Sequence, residues 1–133
     1  MYQIGYNTNM YQSWTVKYYY TAEGKVPFSQ WFDGLDNTVR KKIDAYITKM
    51  RAGNFGNCKP LKGIPDICEL VIDFGPGYRV YYIRAGRVLL LMFNGGIKKQ
   101  QKPDLDQAIR YHADFKQRLK AGTYHEPELK GTT

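Results

Sequence analysis

Five cationic side chains bracket one stretch of this chain. Lys59 and Lys62 precede it, Arg79 lies within it, and Lys98 and Lys99 close it. The stretch, residues 70–99, reads LVIDFGPGYRVYYIRAGRVLLLMFNGGIKK. Fixed positive charges on a rigid frame suit the holding of an anion. Arg79 falls in the middle of a strand pattern, where a guanidinium either faces solvent or holds a fixed anion. Tyr81, two residues on and on the same face, adds a ring on which a base could stack. The competing reading pairs Arg79 with Glu69 or Asp73 on the neighbouring strand. The residues alone leave both open.

The rest of the catalytic repertoire is sparse. His112 and His125 have no cysteine or carboxylate at ligand spacing, so no metal site is expected. His112 lies on the inner stripe of the last helix and reads as a core histidine. Gly75-Pro76-Gly77 joins two strands instead of opening a helix, which excludes a phosphate-binding loop. Ser29 and Cys58 have no evident base. The two cysteines, Cys58 and Cys68, are too few for a disulfide framework, and their spacing fits no zinc motif. Free thiols in a reducing cytosol are expected.

The cations need a platform, and the pattern around them supplies a three-stranded meander. Gly75-Pro76-Gly77 and Ala85-Gly86 are strand-reversing turns. Between them residues 78–83 alternate, with Tyr78, Val80 and Tyr82 on one face and Arg79, Tyr81 and Ile83 on the other. Residues 88–93 are apolar on both faces, as in a covered central strand, and Gly95-Gly96 ends them. Upstream, 14–21 reads as a first strand. Pro27 then opens a short helix with Phe28, Trp31, Phe32 and Leu35 along one stripe. Asp36 caps a second helix that buries Val39, Ile43, Ile47 and Met50, and Gly53 closes it. Downstream, Pro103-Asp104 opens a last helix with Leu105, Ala108, Ile109, His112, Phe115 and Leu119 near one face, stopped by Gly122. The order β-α-α-β-β-β-α implies an α+β fold: a small antiparallel sheet with an N-terminal helical hairpin and a C-terminal helix.

The chain has 133 residues, enough for one core. Lys and Arg outnumber Asp and Glu by 20 to 12, a formal net charge of +8, which favours a polyanionic partner. Twelve tyrosines among those cations are a composition that can stack bases. Residues 1–13 carry no charge and no continuous apolar run, so they read as a flexible leader, not a secretory signal, within which Met10 is a possible start. One domain over 14–121 and a loose tail over 122–133 are expected, in the cytoplasm and without a membrane span.

The segments PFSQWFDGLD, GNFGNCKPLKGIPDICEL, GPGYRVYYI and LLLMFNGGIKKQQKPDLDQAI occur in an order and at separations that carry a specific likeness. From Trp14 to Leu119 the chain resembles the RelE/HigB/ParE toxins of type II toxin–antitoxin systems, in the branch of addiction-module killer proteins. The resemblance implies metal-independent cleavage of mRNA on the ribosome, without a cofactor: the ribose 2′-oxygen attacks the adjacent phosphate while cations neutralise the developing charge. Arg79 would then hold the scissile phosphate and Lys98 act as acid or charge stabiliser. Lys59, Lys62, Tyr81 and Lys99 would contact RNA. The implied partners are the ribosome, its message, and a cognate antitoxin of helix-turn-helix type. Many relatives carry a basic residue on the strand before the Gly-Tyr-Arg turn, where this chain reads Glu69-Leu70-Val71-Ile72-Asp73. The general base stays unassigned. Two other readings are a gyrase inhibitor, as in the ParE branch, and a non-catalytic relative that binds RNA or antitoxin.

Overall fold

The computed structural model describes residues 13–125. Strand β1 (Thr15–Tyr18) is followed by helices α1 (Pro27–Asp33) and α2 (Asn37–Arg51). Four strands come next: β2 (Cys58–Pro60), β3 (Cys68–Ile72), β4 (Tyr78–Arg84) and β5 (Leu89–Ile97). A 3-10 turn (Lys98–Gln100) leads directly into α3 (Gln101–Ala121). The five strands form one sheet in the order β1-β5-β4-β3-β2.

The fold is α+β, but its sheet is mixed where an antiparallel one was expected. β1 runs parallel to β5, while β2 through β5 pair antiparallel. A parallel pair needs a crossover, and the α1–α2 hairpin begins it by carrying the chain over one face. The strand β2 is an addition: only three residues long, it holds Pro60 at the sheet edge, where a missing N–H costs no ladder bond. β5 runs on to Ile97 instead of ending before Gly95-Gly96. These two glycines mark close approaches rather than a strand end. A Cβ on Gly95 would fall into the Trp31 indole of α1, and one on Gly96 onto the Asp104 carboxylate of α3.

The alternation read along β4 sorts the core. Tyr78, Val80 and Tyr82 pack with Phe28, Ile43, Ile47 and Met50 beneath α1 and α2. Tyr81 and Ile83 pack with Tyr19, Phe93 and Ala108 beneath α3. A register shift at Tyr81/Tyr82 leaves Phe93 as the extra residue of a bulge, which turns both Phe93 and Asn94 toward α3.

The helices follow their expected stripes with three changes. Asp36 occupies the N-cap position of α2 without a side-chain cap, and Arg40 instead donates from Nη1 to the Leu35 carbonyl at 2.8 Å, joining α2 to the end of α1. Gly53 closes α2 at φ +89°, a conformation glycine adopts freely. α3 begins two residues before Pro103, which sits in the first turn, where its missing N–H has no helical partner to lose. Its packed stripe is rotated from the expected one: Tyr111 turns inward, while Ile109 is 38% and Leu119 58% exposed.

The far end of α3 is clasped. The Tyr19 hydroxyl donates to Asp114 Oδ2 at 2.5 Å, and Arg118 Nε contacts the same oxygen at 2.9 Å. Arg118 also donates to the Tyr20 carbonyl, and the Tyr124 ring stacks on Tyr20 at 4.2 Å. Just beyond Gly122, Tyr124 packs against this clasp, its hydroxyl accepting from the Tyr20 N–H at 3.3 Å. The rest of the expected loose tail and nearly all of the expected leader, residues 126–133 and 1–12, lie outside the described residues.

Candidate phosphate-binding groove

The β3–β4 turn builds the site. Gly75 at φ +56° and Gly77 at φ +83° allow the reversal, closed by a Gly77 N–H to Phe74 carbonyl bond of 2.9 Å. At the end of β5 the Lys98 N–H donates to the Gly77 carbonyl at 3.0 Å, so main chain fixes Lys98 beside the start of β4. Gly77 is also where side chains crowd: its absent Cβ would lie 3.3 Å from Lys98 Cβ and 3.9 Å from Arg79 Nη1. Around it opens a groove of about 610 Å³, lined among others by Cys58, Lys59, Asp73, Gly77, Arg79 and Lys98.

Arg79 is 9% exposed and Glu69 0%. Arg79 Nε stands 3.5 Å from Glu69 Oε2, so the arginine both lines the groove and has a carboxylate partner on the next strand. Of the two alternatives left open by the sequence, the carboxylate pairing is present, with Glu69 and not Asp73 as the partner. Glu69 is a shared anchor. Gln101 Nε2 in the first turn of α3 donates to Oε2 at 2.8 Å, and Lys59 Nζ of β2 lies 3.7 Å from Oε1. Neither Glu69 Oε1 nor Arg79 Nε completes a hydrogen bond, so the pair is held by charge more than by ideal geometry.

Of the residues singled out in the sequence, Lys59, Arg79 and Lys98 meet at the groove. Lys62 and Lys99 are exposed and are not among the groove's lining residues. Tyr81 departs from expectation. It is 0% exposed beneath α3, its hydroxyl 3.5 Å from the Gln101 carbonyl, so its ring has no free face for a base. Burial and the nearby Glu69 carboxylate push its phenol well above the usual range. The alternation placed Tyr81 on the correct face, but α3 covers that half of it. The sequence offers Glu69 as a partner for Arg79 but does not show it as an anchor shared with Lys59 and Gln101. Counting pairs outward from the Gly75–Gly77 turn sets Glu69 opposite Tyr81 and diagonal to Arg79, which is the signal that points to it.

Burial raises the Cys58 and Cys68 thiols above their ordinary range, keeping them protonated near neutrality. His112 is a core residue, as expected: its ring lies 5.7 Å from that of Phe93, and burial lowers its pKa. Among the described residues no group of three or more His, Cys, Asp or Glu could hold a metal ion, and no helix is long and apolar enough to cross a membrane.

The site is thus a groove on a mixed five-stranded sheet of an α+β domain, with Lys59, Arg79 and Lys98 lining it around Gly77. Residues 30–111, from α1 into α3 and including the groove, match the family described as phage-derived protein Gp49-like (DUF891), and the chain belongs to that family. The family is associated with the toxins of toxin–antitoxin systems. An uncharacterized protein of Haemophilus influenzae is 42% identical over 82 residues, which is 61% of this chain and 81% of that protein.

Proposed function

We propose that this protein is the toxin of a type II toxin–antitoxin pair and cleaves mRNA on the ribosome by promoting attack of a ribose 2′-oxygen on the neighbouring phosphorus. The observation that carries this reading is the convergence of Lys59, Arg79 and Lys98 on the groove, with Arg79 braced from beneath by Glu69. Three cations set against Glu69 and Asp73 leave a single positive charge, the match for one phosphodiester. In the pentacoordinate transition state that phosphate gains a further negative charge. Donors already in place around it stabilise the gain without reorganising. Arg79 holds the non-bridging oxygens, and the Lys98 ammonium serves the departing 5′-oxygen. Lys59 steadies the adjoining backbone, with Lys62 and Lys99 contacting message or ribosomal RNA outside the groove. A cognate antitoxin of helix-turn-helix type silences the toxin by covering this surface.

The test is to induce the protein, with Arg79→Ala beside it, and map message ends by primer extension. Cut messages and growth arrest with the wild type, both lost in the variant, are expected. Arrest with intact messages and inhibited supercoiling would replace this reading with gyrase inhibition. No arrest would leave a binding protein without nuclease activity.

A further inference from the structure

Attack by a 2′-hydroxyl needs an acceptor for its proton, and the groove holds few. Lys59 and Lys98 are ammonium groups and Arg79 is always charged. The half-buried Cys58 thiol is kept protonated by desolvation. Glu69 is fully buried and already engaged with Gln101, Arg79 and Lys59. His112 is buried on the inner side of α3, its ring 5.7 Å from that of Phe93. Asp73 remains. It is exposed, it is the one carboxylate among the groove's lining residues, and no ion pair within 4.0 Å engages it among the described residues.

Its placement suits the task. The Ile72–Tyr78 pairing sets Asp73 opposite Gly77, and strand alternation puts it on the face shared by Glu69, Val71 and Arg79. Gly77 is the glycine against which Lys98 and the Arg79 guanidinium close. The charged groups facing Asp73 are Lys59 from β2, Arg79 from β4 and Lys98 from the 3-10 turn. Lys42 of α2 stands over the adjoining Phe74 ring at 5.1 Å.

Resting on the nuclease reading above, we infer that Asp73 is the general base of the groove. Its carboxylate takes the 2′-hydroxyl proton as the 2′-oxygen forms a bond to phosphorus. The bond from phosphorus to the 5′-oxygen breaks, and Lys98 gives that oxygen a proton. The products are a 2′,3′-cyclic phosphate and a 5′-hydroxyl; water returns the proton from Asp73 to Lys98.

The experiment uses the full chain with purified ribosomes carrying a defined message, cut first by the wild type to locate the site. Asp73→Asn and Asp73→Ser are expected to cut at least about 100-fold more slowly, the usual worth of a general base. Their affinity for the loaded ribosome and their thermal unfolding should match the wild type, and the acid limb of the pH–rate profile should vanish. Asp73→Glu keeps a carboxylate and should recover part of the rate. A message with sulfur in place of the 5′-oxygen at the cut site should rescue Lys98→Ala, whose leaving group then needs no acid, but not Asp73→Asn. Asp73→Asn and Asp73→Ser cutting within threefold of wild type, losing rate through ribosome affinity, or being rescued by the sulfur message would overturn the assignment while leaving the nuclease reading intact. A wild type that cuts no message would remove both.

Discussion

The two faces of the sheet are made by the same strands yet hold opposite contents. Beneath α1 and α2 the buried layer is apolar, with Phe28, Ile43, Ile47, Met50, Leu70 and Ile72 among its members. Beneath α3 and in the groove beside it lie the buried polar residues Glu69, Arg79, Asn94 and His112. Buried charge is costly and repays itself only when paired. Its restriction to one face separates an apolar layer from a face that buries charge at some expense, the face of the candidate groove.

The hardest test of that division is Glu69→Ala, which strands Arg79 without its carboxylate. A loss of about 3–5 kcal/mol in chemical denaturation is expected, together with loss of anion binding at the groove. Ile47→Ala on the opposite face should cost about 2–5 kcal/mol by the same measurement yet leave groove binding unchanged. If Ile47→Ala altered binding and Glu69→Ala did not, the division would fail.

How far this division could be read beforehand differs by element. The stripes of α1 and α2 and the two-residue alternation of β4 are local patterns, and both faces of β4 follow from them. β2 was invisible because three residues, two of them exposed, show no period. The run of β5 through Gly95-Gly96 was hidden because glycine reads as an ending, whereas here it admits Trp31 and Asp104. The parallel partnership of β1 with β5 joins residues far apart in the chain and leaves no local mark. At the groove, Lys59, Arg79 and Lys98 were legible as charges around the meander. Which half of a face a helix covers is a tertiary fact, and it decided against Tyr81.

Smaller effects sharpen the contrast. Burial lowers the pKa of His112, so the unfolded chain binds the proton more readily. The stability this contributes is complete above the ordinary value of 6.5 and is lost as pH falls through the lowered folded value. Replacing His112 with Gln should flatten that acid limb in thermal melts. Tyr81→Phe removes only the hydroxyl beside the Gln101 carbonyl, so stability is expected to change by about 1 kcal/mol and RNA affinity to stay within twofold; a large loss of affinity would show that this hydroxyl reaches RNA and is not covered.

The main-chain bond between Lys98 and Gly77 has one more consequence. The ammonium's base is riveted to the sheet before the helical stretch begins, so prying α3 loose would not scatter the cations. The antitoxin proposed above would therefore meet a cleft whose cations keep their places, and would act on it as a stopper does.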